Sequence, residues 1–357
     1  MSLSRKHLES ALSRQVDPWM GKDLLALTER MDIDGDLVSI QLALPYPFAS
    51  CAGELRDLLV QTLTDAGAGR VAYDLILKVP RSKPTNNVES APPIKNVIVV
   101  ASGKGGVGKS TTAVNIALAL AAEGARVGIL DADIYGPSIP TMLGLFNQRP
   151  EIRNEAFVPL QAYGLQAMSI GFLIDDNNPV VWRGPKVTGA LLQLFGQTAW
   201  QDLDYLVIDM PPGTGDIQLT LAQRIPVSGA VVVSTPQDIA LLDAKKGIEM
   251  FRKVNIDVLG VVENMALHVC SNCGHTEAIF GEGGGERIAR EYQTELLGQL
   301  PLNKSIREQA DSGKPTVVAQ PDGPLTAHYR HIARRIAVKL AQHEVVPTNR
   351  IGFFSPK

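Results

Sequence analysis

A chain of 357 residues, 45% of them apolar, is long enough for two domains and can bury a sizeable core, while a formal net charge of −3 gives no electrostatic basis for binding nucleic acid. Three cysteines, two of them close together, fit a metal or redox role in a reducing compartment better than a disulfide framework. The start MSLSRKHLES lacks a signal-peptide core and no long uncharged apolar run marks a transmembrane helix, so a cytoplasmic protein that binds no membrane is expected.

In chain order, residues 4–15 read as a helix, 37–44 as a strand, 51–67 as a second helix and 71–79 as a second strand. Together they make a small α/β unit over residues 1–79, with Cys51 at the start of its second helix. Residues 80–95 carry Pro80, Pro84, Pro92 and Pro93 and few apolar side chains, which reads as a linker. From 96 to 345 apolar β-branched runs at 97–101, 126–131, 205–209, 229–235 and 256–262, with LLGQLP near 300, alternate with helical patterns. Such alternation predicts an α/β fold, a mostly parallel sheet with helices on both faces. Residues 346–357 form a C-terminal tail.

The strongest motif follows the run at 97–101. GKGGVGKST, residues 103–111, fits the phosphate-loop pattern, and the Ala- and Leu-rich stretch after it reads as a helix. Gly103, Gly105, Gly106 and Gly108, with Val107 between them, let backbone N–H groups approach phosphate oxygens at a helix start. Lys109 would reach the β and γ phosphates of ATP, and the Ser110 hydroxyl, beside Thr111, would bind Mg²⁺. Asp131 and Asp133 end the next strand, and Asp209 ends a later one before PPGTG. In a parallel sheet the carboxyl ends of strands gather round the ligand. Asp209 there would hold Mg²⁺ through water, Asp131 or Asp133 would position the attacking water, and Gly213 would sense the γ-phosphate.

The second motif is CSNCGH, in which Cys270 and Cys273 make a C-x-x-C with His268 and His275 close by. Two thiolates at this spacing suit one soft metal centre but leave a four-ligand site half complete. A symmetric dimer would supply four thiolates, which suits a [4Fe–4S] cluster on the two-fold axis. The residues alone leave open a zinc site, a redox dithiol and two structural cysteines.

Lys104, directly after the first glycine, resembles the signature lysine of the deviant phosphate-loop ATPases, whose members include septum-site and partition ATPases. That resemblance implies a homodimer in which the lysine crosses to the partner's ATP, much as an arginine finger does. GKGGVGKST, LDADIYGPSIP, VVWRGP, YLVIDMPPGTGDIQLT, TPQDIALLDAKKGI, VENM and CSNCGH, in this order over about residues 95–345, resemble the Mrp/ApbC iron–sulfur cluster carriers. The resemblance implies that Lys104, Lys109, Asp133 and Asp209 serve a slow ATPase, that Ser110 and Thr111 bind phosphate and Mg²⁺, and that Asn264 contacts adenine beneath the loop after Pro301. It further implies that Cys270 and Cys273 hold a bridging cluster destined for apo iron–sulfur proteins, with cluster scaffold proteins as further partners. The N-terminal unit resembles, by position and pattern, the MIP18-like domain; Cys51 has no neighbouring ligand in the sequence and reads as a buried thiol.

Near the C-terminus, residues 325–343 place Leu325, Tyr329, Ile332, Ile336 and Leu340 at helical spacing, with Arg330, Arg334, Arg335 and Lys339 between them. A basic amphipathic helix of this kind can lie on a membrane, as in an ATP-switched spatial regulator. The reading preferred is a helix docked on the sheet with a solvated charged face.

Overall fold

The computed structural model describes residues 4–86, 88, 93–134, 136–173, 184–270 and 272–343. The N-terminal unit packs α1 (Arg5–Leu12) and α2 (Ala52–Asp65) on one face of a three-stranded sheet. Its strands are β1 (Thr28–Asp34), β2 (Leu37–Leu44) and β3 (Arg70–Leu77), in the order β1-β2-β3. β2 alternates strictly, burying Val38, Ile40, Leu42 and Leu44 against the helices. β1 pairs antiparallel with it and β3 parallel, through the crossover helix α2. β1 was not expected from sequence: Glu29, Arg30, Asp32 and Asp34 fill it, and only Met31 is buried.

The larger sheet has eight strands. In chain order they are β4 (Ile94–Ala101), β5 (Val127–Asp131), β8 (Leu160–Ala162), β9 (Leu165–Ser169), β10 (Leu203–Asp209), β11 (Gly229–Ser234), β12 (Val258–Glu263) and β15 (Leu296–Gln299). Their spatial order is β15-β12-β11-β4-β10-β5-β9-β8, parallel except for the terminal β8–β9 pair. The short ribbons β6 (Ile152–Arg153) with β7 (Ala156–Phe157), and β13 (His268–Val269) with β14 (Thr276–Glu277), stand outside it. The central strands β4, β10 and β11 are buried almost throughout, as a parallel sheet covered on both faces requires.

On one face lie α3 (Lys109–Ala122), α4 (Ile139–Met142), α9 (Lys304–Asp311), α10 (Thr316–Ala319) and α11 (Pro324–Gln342). α5 (Gly184–Gln197), α6 (Asp216–Arg224), α7 (Asp238–Lys253) and α8 (Gly284–Glu291) are the other helices, and α7 and α8 pack on the sheet and on each other. α3 is apolar almost all round because it is enclosed between the sheet and α11.

Two expectations change here. Ile94 and Lys95, read as linker, begin β4, and Ser82 and Asn86 before them are fastened down. The Ser82 hydroxyl donates to the Leu340 carbonyl at 3.0 Å, and the Asn86 amide donates to the carbonyls of Ala222 and Ile225. The C-terminal helix docks as expected, burying Tyr329, Ile332, Ile336 and Leu340, but its charged face is not simply solvated. Arg334 is buried and donates to Glu123 at 2.8 Å and to Ser50 at 2.6 Å, while stacking over Trp19 at 4.4 Å. Arg335 and Lys339 both pair with Glu295. Pairing compensates the desolvation of these cations, which a count of helical periodicity does not register. Among the described residues no helix is long and apolar enough to cross a membrane.

Candidate functional site: a phosphate loop beside a thiol ribbon

The phosphate loop joins β4 to α3 at the carboxyl edge of the sheet. Gly103 packs against the backbone of Asp243 in α7 so closely that a Cβ there would collide with it. Gly108 caps α3 in the left-handed region, φ +83°, and a Cβ there would strike the Asn264 amide. The same amide donates to the Val107 carbonyl at 2.8 Å. Asn264, expected at the adenine, sits just after β12 and braces the loop.

Lys109 lies almost wholly buried among acids. Its ammonium donates to Asp209 Oδ1 at 2.5 Å and to the Ser110 hydroxyl at 3.1 Å, and stands 3.6 Å from Asp133. The Lys109–Ser110 pair, Asp133 and Asp209, from three separate stretches of the sequence, meet because β4, β5 and β10 are adjacent and parallel and end at one level. Asp209 Oδ2 and Asp133 Oδ1 are buried without a hydrogen-bond partner. Two unsatisfied carboxylate oxygens beside a serine hydroxyl are the oxygen donor set that suits Mg²⁺ and its water shell.

Asp131 departs from expectation. Its carboxylate accepts from the backbone N–H groups of Asp133 and Ile139 and from the Ser169 hydroxyl, each at 3.1 Å. It is fully buried and positions the loop that carries Asp133, so Asp133 is the acid that faces Lys109. Burial, reinforced by the charge of Asp209, pushes the Asp131 carboxyl up to about 7; burial likewise raises Asp209, against the pull of Lys109. Ser169 was not expected, since an isolated serine at a strand end carries no signal in sequence.

Gly213 adopts φ +97° and its N–H donates to the Ser102 carbonyl at 2.9 Å, tying the PPGTG segment to the phosphate loop. Gln218, also unforeseen, closes that segment by donating to the Pro212 carbonyl at 2.5 Å. Gly105 and Gly106 are exposed, and Ser110 and Thr111 open α3 half-buried beside Lys109. Lys104 is half-buried; its carbonyl accepts from the Ser102 hydroxyl, and its ammonium has no ion-pair partner among the described residues.

The thiols sit on the same connection as Asn264. After β12 the chain passes Asn264 and Met265, then Ala266 and Leu267 pair with the segment after β15: Ala266 N–H donates to Leu300 and Leu302 N–H to Leu267. The β13–β14 ribbon then holds Cys270 and Cys273 at its tip, closed by Cys270 N–H to His275 O and Gly274 N–H to Cys270 O, both 2.9 Å. Backbone N–H groups of Cys273 and Asn272 and the Cys273 thiol point at Cys270 sulfur and lower its pKa. Such a nest favours thiolate, the metal-binding form. Cys273 is exposed. His268 instead faces Glu277 at 3.6 Å. Among the described residues no group of three or more His, Cys, Asp or Glu is placed to hold a metal ion, so one chain offers only this thiol pair. Cys51 lies elsewhere, buried, with burial pushing its thiol up to about 11, which makes it a poor ligand.

Comparison with known proteins places the chain in a family. The chain is 56% identical to the iron–sulfur cluster carrier protein of Escherichia coli K12 over 315 residues, 87% of this chain and 85% of that protein. It is 68% identical to the protein of the same name from Pseudomonas fragi over 242 residues, 67% of this chain and 84% of that one. It is 52% identical to the mouse iron–sulfur cluster transfer protein NUBPL over 265 residues, 73% of this chain and 81% of that protein. Among solved structures, an Archaeoglobus fulgidus nucleotide-binding protein in complex with ADP and with cobalt superposes with a TM-score of 0.58 at 39% identity, covering 66% of this chain and 91% of that one. The cell-division ATPase MinD of Pyrococcus furiosus shares the fold, with a TM-score of 0.53 at 21% identity over 68% of this chain and 98% of that one. The family model ParA, NUBPL iron-transfer P-loop NTPase, matches residues 93–337, and with that match and these relatives the chain belongs to this family.

Proposed function

We propose that this chain is an ATPase that carries an iron–sulfur cluster and passes it to apo-proteins. Family membership supports the ATP-dependent carrier role. The observation that carries the local reading is the connection after β12, where Asn264 braces the phosphate loop and Cys270 follows six residues later. An extended chain of that length spans at most about 20 Å. A shift of the loop on nucleotide binding therefore acts directly on the segment that holds the thiols.

In this reading Lys109 passes from Asp209 to the phosphates of ATP, and Ser110 and Asp209 hold Mg²⁺, which neutralises phosphate charge. Asp133 orients the attacking water and Lys104 reaches the nucleotide of a second copy. Gly213 links the γ-phosphate position to Ser102. Two chains supply four thiolates to a [4Fe–4S] cargo. ATP turnover is slow and alters how the two chains meet, and so the hold on the cluster. The N-terminal unit, residues 1–79, is a separate domain in this reading, and the residues between it and Ile94, the start of β4, join it to the ATPase.

The test is iron, sulfide and zinc content with visible absorption on protein reconstituted without oxygen, beside Cys270→Ala. About four iron and four sulfide per two chains, lost in the variant while ATP binding persists, is the expected result. Zinc in place of iron, or a full cluster retained by Cys270→Ala, would overturn it.

A further inference from the structure

Ser102 stands between the PPGTG segment and Lys104 and holds both. It is buried directly after β4. Its carbonyl accepts from the Gly213 N–H at 2.9 Å, and its hydroxyl donates to the Lys104 carbonyl at 2.8 Å. On the far side, Gln218 in the first turn of α6 fixes the PPGTG segment through the Pro212 carbonyl, and a Cβ at Gly215 would come within 3.3 Å of its side chain. A connected path of hydrogen bonds and chain therefore runs from Gln218 through Pro212, Gly213 and Ser102 to Lys104. The path matters because of how Lys104 is held. Gly103 before it is pressed on the backbone of Asp243, while Gly105 and Gly106 after it are exposed and a Cβ on either would meet open space. The fastened part of the loop breaks off at Lys104 and resumes at Val107, which Asn264 braces. With no ion-pair partner for its ammonium among the described residues, the direction of the Lys104 side chain is set from its backbone, and so by Ser102.

We infer that Ser102 is a positioning residue for ATP hydrolysis, one that passes the position of Gly213 on to Lys104. The lysine is then aimed for the reaction when the γ-phosphate holds the PPGTG segment in place. The inference rests on the reading in which Lys104 reaches the nucleotide of a second copy and Gly213 answers to the γ-phosphate, and adds the residue that links the two. Burial of Ser102 limits competition from water for both of its bonds. Ser102 itself touches no phosphate in this reading; Lys109 and the glycine backbone bind those. Its hydroxyl therefore serves the transition state through Lys104 and not the binding of ATP, so its loss should lower kcat and leave KM alone.

The experiment measures ATP hydrolysis with Mg²⁺ by the full chain, and binding of a non-hydrolysable ATP analogue. The variants are Ser102→Ala and Ser102→Cys, the second keeping the side-chain shape while losing the strong donor. Each is made alone and together with Lys104→Ala. Loss of one hydrogen bond corresponds to a change of about 10-fold. Both single variants should lose about 10-fold in kcat, with KM and analogue affinity within about two-fold of the parent, which also reports intact folding. Added to Lys104→Ala, neither should slow hydrolysis further by more than about two-fold, because the lysine through which Ser102 acts is gone. Turnover equal to the parent's in both single variants overturns the proposal. A further loss of about 10-fold on top of Lys104→Ala also overturns it, since Ser102 would then shape the loop by another route. Weakened analogue binding in both variants overturns it as well, by making Ser102 part of the phosphate site's own fold. If Lys104→Ala itself turns over as fast as the parent, the cross-chain reading fails and the proposal with it. A slowed Lys104→Ala beside an unaffected Ser102→Ala and Ser102→Cys overturns the proposal alone.

Discussion

Replacing Lys109 by methionine separates the electrostatics of the phosphate loop from its contacts with ATP. Methionine keeps most of the buried side-chain volume and removes the only cation that, among the described residues, lies within hydrogen-bonding reach of Asp209, whose side chain is 0% exposed. Breaking a buried ion pair from one side costs about 3–5 kcal/mol. An independent bound comes from the escape route, in which Asp209 takes up a proton. From an ordinary carboxyl pKa of 3.8, that costs about 4 kcal/mol at pH 7 and about 2 kcal/mol at pH 5.5, using about 1.4 kcal/mol per unit. The two estimates agree near neutral pH, and the second supplies the sign. The stability deficit of Lys109→Met relative to the parent should be about 4 kcal/mol at pH 7 and smaller by about 2 kcal/mol at pH 5.5. Urea unfolding without nucleotide at both pH values reads this directly. Adding Asp209→Asn to Lys109→Met should recover most of the deficit at pH 7, because no charge is then stranded. A deficit under about 1 kcal/mol, or one equal at the two pH values, would refute the view that Lys109 neutralises a buried acid cluster.

Other outcomes follow from the same geometry. Lys104→Ala should leave ATP binding within about two-fold of the parent and slow hydrolysis by about 1000-fold, the scale of a charge supplied in trans; equal turnover in a single-turnover assay would remove the cross-dimer role. Arg334→Leu leaves Glu123, between α3 and the N-terminal unit, with Arg330 at 3.3 Å and the Ser50 N–H at 2.9 Å as partners among the described residues, and should cost about 3 kcal/mol in urea unfolding. A loss below about 1 kcal/mol would show that this contact does not hold the two units together. Asp131 titrates at about 7 when folded and near 3.8 when unfolded, so between these values the folded state holds more proton and stability falls as pH rises, levelling off above about 7. Asp131→Asn should flatten that part of the profile, and parallel profiles for variant and parent would contradict the raised value.

Much of the site was legible because its parts are local in sequence. A glycine loop ending in Gly108-Lys109-Ser110 between a β-branched run and an Ala-rich helix reads as a phosphate loop, and acids that end apolar runs lie at the carboxyl edge of a parallel sheet. β1 was not legible, because four charged residues on an edge strand give no alternation to read. The pairing of Arg334 with Glu123 was hidden by 211 residues of separation. Periodicity showed that α11 has an apolar face, yet only packing revealed that its arginines are held by Glu123 and Glu295.

The division of labour between Asp131 and Asp133 shows the limit most clearly. Both stand two positions apart on one strand end, and their spelling is the same. What separates them is Ser169 on β9 and the N–H groups of Asp133 and Ile139, which turn Asp131 inward and leave Asp133 facing Lys109. The Asn264 brace on the loop likewise depends on Gly108, which, left-handed and without a Cβ, lets the Asn264 amide reach Val107. By itself the sequence determined which chemistry this chain carries, since that depends on residue types at short spacings. Tertiary structure decided which of several equivalent side chains does the work, because burial, hydrogen-bond partners and counter-charges come from strands and helices that meet only in the folded chain.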